Sequence, residues 1–316
     1  MVSSFVWDQK EDGCFVLERG HRIESVKAKP RSKVLNNILE ANGNTPLSKL
    51  NKIPRERNLK CNIYVKLEFF NVGGSLEDRA AIRMIEVAEQ HGLTKENTVV
   101  APASGNIAIG IALVCAVKGY KCVIIAPDRT AESICNILKA LNAQVVRVSD
   151  NINDIPSTYF AYAKTLSESI KNSYFLDETV SGANPLAHYE TTAAEIISAL
   201  NGKVDLIVVP IRTGAAFIGI AKYIQKHQPK TKVYGVCSKT SRFPHIPELS
   251  SRDLLPDVEL SCGTGIEAVC SKEAFLMTRR LIKEEGLMVG PSSGAAIVAA
   301  LKVCLLPSTL IPIFIA

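Results

Sequence analysis

Short runs rich in β-branched residues alternate with helix-length apolar patterns along most of this chain, and that alternation constrains its fold more than any other feature. Residues 99–101 give way to 107–117, 122–126 to 131–141, and 145–148 to 159–170. The pattern resumes at 206–209, 214–226, 233–237 and 274–285. Strands joined through helices run parallel, and parallel strands are buried on both faces, which these unbroken apolar runs suit. The reading is an α/β protein built on parallel sheets. No repeat of fixed period is present. At 316 residues the chain can bury one large core or two ordinary ones.

Composition narrows the function classes. The chain is 47% hydrophobic and 22% charged, which predicts a soluble globular protein. A net charge of +6, without a block of like charges or an aromatic-interleaved basic stripe, points away from nucleic acid. Lys27, Lys29 and Lys33 read as a solvated arm. The nine cysteines are scattered, with no C-x-x-C pair and no zinc spacing. Cys115 and Cys122 lie in apolar runs where cysteine behaves as a small hydrophobe. The first 20 residues lack the apolar stretch of a signal peptide, so a cytoplasmic setting is expected, with no membrane. The apolar tail 304–316 is short and broken by Pro307 and Pro312, below the length that spans a bilayer as a helix.

One junction stands out for chemistry: Glu68-Phe69-Phe70-Asn71-Val72-Gly73-Gly74-Ser75-Leu76-Glu77-Asp78-Arg79. It follows the β-rich run 62–67 and leads into a helix pattern. Two glycines and a serine between strand and helix let the backbone come close to a neighbour and leave helix-start N–H groups available. By spacing alone this is a suggestive turn.

The segment resembles the EFFN-x-GGS-x-K-D-R motif of the cystathionine β-synthase and cysteine synthase family, pyridoxal-phosphate (PLP) enzymes of fold type II. Asn184-Pro185-Leu186-Ala187-His188-Tyr189-Glu190-Thr191-Thr192 is similar to the family's NPLAHYDTT segment, and Gly43-Asn44-Thr45-Pro46 to its G-N-T-P loop. The likeness runs from about residue 35 to 303. It implies two α/β lobes with parallel sheets around a cleft: a larger lobe from 33–79 and 175–303, and a smaller mobile lobe from 80–174. An irregular arm (1–32) precedes them and an atypical apolar tail (304–316) follows, read as an alternative or truncated C-terminus. In this family the motif lysine forms the Schiff base. Here that position is Glu77, and a carboxylate cannot condense with an aldehyde.

The resemblance carries over to other positions unevenly. Ser104-Gly105-Asn106 matches the loop that holds the substrate carboxylate, with Asn106 toward the cofactor ring; the flanking threonines have become Ala103 and Ile107. By its residues alone the segment reads equally as a serine N-cap. In Arg212-Thr213-Gly214-Ala215-Ala216, only Thr213 and Gly214 match a phosphate-wrapping G-T-G-G-T, and each lost glycine puts a Cβ where backbone would approach phosphate. Ser292, in Gly290-Pro291-Ser292-Ser293-Gly294, matches the serine that bonds the pyridine nitrogen, and could as well be a helix N-cap. Gly263-Thr264-Gly265 begins a closing loop whose following strand is shortened. His188 reads as a structural histidine. Lys66 sits on a strand, with nothing to mark it as a replacement amine.

The remnant set is therefore Asn106, Thr213, Gly214 and Ser292 for cofactor, with Ser104 and Gly105 for substrate. Covalent PLP is not expected. Neither haem nor another metal is expected, since Cys14 and His21 lack the surroundings of a haem site. The leading expectation is a cystathionine β-synthase-like protein without catalysis, acting as partner or regulator. Its partner would be a like-folded subunit, a second copy or an active paralogue, needed to cover the apolar helix at 295–301. The alternatives are a working β-replacement lyase and a sensor of small amino acids.

Overall fold

A computed structural model describes residues 7–10, 14–17, 22–26, 34–149, 158–239, 249–250, 259–304 and 312–315. The chain divides into two compact units, one of Met1–Ser25, Arg31–Asn42 and Asn71–Asn184, the other of Val26–Pro30, Gly43–Phe70 and Pro185–Ala316.

The first unit begins with three short antiparallel strands, β1 (Trp7–Gln9), β2 (Phe15–Leu17) and β3 (Arg22–Ile23). The arm expected to be irregular thus carries a small sheet, which Trp7, Phe15 and Ile23 anchor by burial. Two strands of the other unit, β4 (Leu47–Lys49) and β5 (Tyr64–Lys66), flank helix α1 (Lys52–Glu56). The first unit then resumes with α2 (Glu77–Gln90), β6 (Thr98–Pro102), α3 (Asn106–Lys118), β7 (Lys121–Pro127), α4 (Glu132–Ala140), β8 (Gln144–Val148), α5 (Thr158–Ser169) and β9 (Ser173–Phe175). Its parallel sheet has the order β8-β7-β6-β9. Val100, Val123 and Ile125 of the strands pack with Ala163 of α5, a core of small and branched side chains.

The second unit continues with α6 (Ala183–Ala187), a π-helical turn His188–Thr192, α7 (Ala193–Ala199), β10 (Leu206–Pro210), α8 (Ala215–His227), β11 (Lys232–Ser238) and β12 (Gly265–Val269). It closes with α9 (Ser271–Arg280), a second π turn Leu281–Glu285, α10 (Pro291–Cys304) and β13 (Pro312–Ile315). Its sheet order is β12-β11-β10-β13-β5-β4, parallel throughout except that β4 runs antiparallel to β5. Part of the apolar tail is therefore an inner strand. Proline opens it, at a position where a missing N–H is tolerated.

Helix α10 corrects one expectation. Residues 295–301 are all buried within this chain, none more than 8% exposed, because α10 packs on α9 and the sheet. A helix apolar all round is covered by its own fold, so it gives no reason for a second subunit. Ahead of β4 lies a single 3-10 turn, Ile38–Ala41, capped by the Asn37 side chain accepting from the Leu39 N–H at 3.0 Å. Among the described residues, no helix is long and apolar enough to cross a membrane, and no group of three ligating side chains could hold a metal. His21 lies outside the described residues; Cys14 accepts a weak 3.7 Å contact from Arg22 Nη2.

Candidate functional site

In the first unit, the Gly-Gly-Ser turn is built by its own side chains. Asn71 Nδ2 donates to the Ser75 carbonyl at 3.0 Å, and the Gly73 N–H donates to Asp78 Oδ2 at 2.7 Å. A Cβ on Gly73 would overlap that carboxylate, and Gly74 sits at φ 88°, in the left-handed region. Gly73 thus has a local reason in the buried Asp78, and Gly74 in its backbone conformation. Ser75 Oγ accepts the Glu77 N–H at 3.2 Å. Glu77 is the first residue of α2 and half-exposed, with Asp78 beside it in the turn where negative charge suits the helix dipole.

Helix α3 packs closely on α2. A Cβ on Gly110 would stand 3.0 Å from the Ala81 Cβ and 3.4 Å from the Asp78 Cα, so any larger residue would press the two helices slightly apart. The contact brings the first turn of α2 beside the second turn of α3. Ser104 is not the cap of α3: the N-cap is Gly105, at φ 65° and ψ −142°, and no side chain caps the helix start. Ser104 is half-buried and Asn106 exposed, while Ala103 and Ile107 are in the core. These two positions, where the resembling family's loop has threonines, serve packing here.

In the second unit, β10 leads through Ile211 into Arg212. The Ile211 N–H donates to the Val236 carbonyl at 2.8 Å, and the Ser250 N–H donates to the Ile211 carbonyl at 2.8 Å. Ser250 Oγ donates to the Arg212 carbonyl. Gly214, at φ 94°, is the N-cap of α8. Ala215 is 2% exposed, so its methyl is part of the packing where a phosphate-wrapping turn would present bare backbone. Ser292 lies inside the first turn of α10, behind Pro291, and is not its N-cap. The tip of the Phe217 ring reaches Gly263, where a Cβ would overlap it. Thr264 clamps the edge of β11, its N–H donating to the Val233 carbonyl at 2.7 Å and its Oγ1 accepting the Val233 N–H at 2.9 Å.

His188 is 1% exposed, with Nδ1 3.0 Å from Thr192 Oγ1 inside the π turn. More telling is a buried ionic cluster that sequence reasoning did not assemble. Lys66 Nζ donates to the Thr45 carbonyl at 2.9 Å, to Thr45 Oγ1 at 2.6 Å and to Glu195 Oε2 at 2.7 Å. Thr45 Oγ1 donates to Glu68 Oε1 at 2.6 Å, and Glu195 Oε1 accepts the Asn44 N–H at 2.9 Å. An ammonium with all three donors engaged has no lone pair for a carbonyl. The Lys-x-Glu spacing of 66 and 68 was the one available signal.

For covalent attachment of an aldehyde cofactor, this donor set does not fit. Residue 77 offers no amine, Lys66 is committed to an ion pair, and the start of α8 carries methyl groups at 215 and 216.

Comparison with known proteins accounts for this architecture. Residues 38–307 match the pyridoxal-phosphate dependent enzyme family. The chain is 37% identical to cystathionine β-synthase of Oryctolagus cuniculus over 305 residues, covering 91% of this chain and 54% of that protein. It is 39% identical to that of Dictyostelium discoideum over 285 residues, covering 85% and 56%. It spans about half the length of the curated relatives it matches. Among solved structures, a hydrogen sulfide-producing enzyme of Fusobacterium nucleatum superposes with a TM-score of 0.82 at 31% identity, over 91% of this chain and 97% of that one. The O-acetylserine dependent cystathionine β-synthase of Helicobacter pylori gives 0.80 at 30%, over 90% and 95%.

Proposed function

Because the chain belongs to the pyridoxal-phosphate-dependent enzyme family, in its cystathionine β-synthase and cysteine synthase branch of fold type II, we propose that it is a cystathionine β-synthase-like protein that performs no PLP chemistry of its own. It serves instead as a partner or regulator of an active, like-folded protein. PLP is the cofactor of the family; when bound it supplies an electron sink for carbanion chemistry. One observation carries the reading: the first residue of α2 is a carboxylate where the resemblance places the Schiff-base lysine. A missing lysine removes both the covalent anchor and the proton carrier that returns after the aldehyde is released.

Sodium borohydride treatment of protein incubated with PLP, followed by intact-mass measurement, tests this. The expected result is unmodified protein, together with no cystathionine from serine and homocysteine and no cysteine from O-acetylserine. A stoichiometric reduced adduct with turnover would establish the working lyase instead. The uncapped start of α3 supports a second reading, retention of a small amino acid through its carboxylate at Ser104 and Gly105. Stabilisation by serine or O-acetylserine without turnover would favour that role.

A further inference from the structure

We propose that the outward face of α9 docks a helix of another protein, one whose contact face is apolar and flanked by carboxylates. The inference rests on the reading that this chain acts as a partner, and it names the surface and the chemistry that would meet it.

Helix α9 has a buried stripe and an exposed one. Ala274, Met277, Thr278 and Leu281 are buried, and Gly294 of α10 comes so close that a Cβ there would overlap atoms of Ala274 and Thr278. Lys272, Phe275, Leu276 and Arg279 are exposed, at the i, i+3, i+4, i+7 spacing of a single helix face. A solvated helix face is ordinarily polar, yet Leu276 is 52% exposed. Ile282 is exposed in the π turn that follows, and Met288 is 76% exposed. The Leu287 N–H donates to the Leu281 carbonyl at 3.1 Å, which folds the chain before Met288 back onto the helix end.

The charges of this region are unevenly committed. Arg280 pairs with Glu56 and Glu284, Lys302 pairs with Glu273, and Glu285 accepts N–H groups of α1. Among the described residues, no ion pair takes up Lys272, Arg279 or Lys283. Helix α1 packs on the π turn and adds the exposed Lys52 and Arg55. The face thus offers apolar side chains set among cations whose charge is not neutralised. An acidic helix with an apolar stripe complements both features. A second copy of this chain does not. Its net charge is also +6, and a two-fold axis would set this face against itself, cation against cation. An anionic membrane is disfavoured too, because Glu56 and Glu273 are exposed in the same region and would meet lipid phosphates.

The test is fluorescence anisotropy of a labelled amphipathic helical peptide, with a leucine face flanked by glutamates, titrated with the full chain. Two control peptides replace the glutamates by lysines or the leucines by serines. The acidic leucine peptide should bind about tenfold more tightly than either control, and more weakly as salt rises. Leu276→Ala should weaken it about tenfold, the worth of burying the exposed half of a leucine. Arg279→Glu combined with Lys283→Glu should turn the preference toward the lysine peptide, and matching melting curves exclude a folding defect. Equal binding of the serine peptide would reduce the face to unspecific charge and overturn the inference, as would affinity that survives Leu276→Ala. A dimer in sedimentation that Leu276→Ala dissociates would assign the face to a second copy. Pelleting with phosphatidylcholine–phosphatidylserine vesicles, lost in the same variant, would assign it to a membrane; either result overturns the inference. A borohydride-reducible PLP adduct with turnover would remove the partner reading without changing these peptide affinities, so the two failures are distinguishable.

Discussion

Lys66 and Glu195 meet at 2.7 Å with side chains only 1% and 7% exposed, and this pair fastens the Gly43–Thr45 loop to α7 and β5. The loop needs fastening, because Gly43 and Asn44 both sit at positive φ, 76° and 45°, and Asn44 adopts that conformation at some cost. Lys66 holds Thr45 by its carbonyl and hydroxyl, while Glu195 holds the Asn44 N–H. Glu68 lies 3.8 Å from the ammonium, so one cation faces two buried carboxylates.

Removing the cation should therefore be far worse than neutralising one acid. Lys66→Met leaves both carboxylates buried without it and should cost about 3–5 kcal/mol. Glu195→Gln keeps an acceptor for Asn44 and should cost less. Urea unfolding midpoints of both variants and of the double variant check this; a coupling energy near zero would contradict the pairing.

Tyr120 gives a pH signature in the first unit. Its hydroxyl donates to Glu89 Oε1 at 2.7 Å, and burial first, then that carboxylate, pushes its pKa up to about 12. Burial also pushes Glu89 upward, but the hydrogen bonds from Lys118 and Tyr120 outweigh it and leave the carboxyl below its usual range. The folded protein therefore keeps the tyrosine proton between pH 10 and 12, where the unfolded chain has lost it. This contribution to stability is fully present below pH 10 and disappears toward pH 12. Wild type should lose stability more steeply than Tyr120→Phe across that window, measured as the difference in urea midpoint at pH 9 and pH 11.5. Taking the difference cancels the lysines, which titrate in the same range.

Much of this fold is legible in the sequence, for a physical reason. Strands such as Thr98–Pro102 and Leu206–Pro210 are buried on both faces and read as unbroken apolar runs, while the crossover helices show apolar patterns of helical length. What escapes are relations made by distant groups. Glu285 accepts the backbone N–H groups of Lys52 and Ile53, at 2.7 and 2.8 Å, and so caps α1 from more than 200 residues away. No local signal announces it. Ser104 and Ser292 show the opposite error, since a serine before a helix pattern suggests a cap whether or not the chain uses it. The meaning of Gly73 was also ambiguous, because a glycine that clears a neighbouring Asp78 looks in sequence like one that clears a phosphate.

Restoring the amine alone should not restore the cofactor. Glu77→Lys supplies a nucleophile, yet the helix start at α8 still carries Arg212, Ala215 and Ala216. The single variant should give at most a trace of borohydride-reducible adduct with PLP. Combining it with Arg212→Gly, Ala215→Gly and Ala216→Thr should raise the yield severalfold, read by intact mass and visible absorbance. Stoichiometric labelling of the single variant would show that phosphate binding was never lost.

Gly219 of α8 tests the packing of the second unit. A Cβ there would overlap the Pro185 carbonyl oxygen and come within 3.0 Å of both the His188 Cβ and the Tyr189 N. Because backbone atoms cannot turn aside as a flexible side chain can, Gly219→Ala should destabilise the unit by about 1–3 kcal/mol, despite alanine's better helix propensity. Gly286 provides the contrast: it has open space around its Cβ position but a φ of 74°. Gly286→Ala should cost only the roughly 1 kcal/mol of the left-handed conformation. Reversal of that order in thermal melts would refute the packing assignment.

The strand Pro312–Ile315 makes the most consequential prediction. It lies between β10 and β5, with Ile207 opposite Ile313 on one side and Val65 opposite Phe314 on the other. Four residues thus connect the two halves of a six-stranded sheet, and each side of the strand completes a neighbour's ladder. Deleting residues 312–316 would leave β10 and β5 with facing rows of unpaired N–H and C=O groups inside the sheet. Buried backbone groups without partners are costly, and exposed strand edges recruit other chains. The truncated protein should accordingly fail to melt cooperatively and should aggregate, whereas Ile313→Val, which keeps the backbone ladder, should remain folded. Sedimentation and circular dichroism of the two variants separate the outcomes. A truncated chain that is monomeric and melts as wild type would show that this strand is dispensable to the sheet.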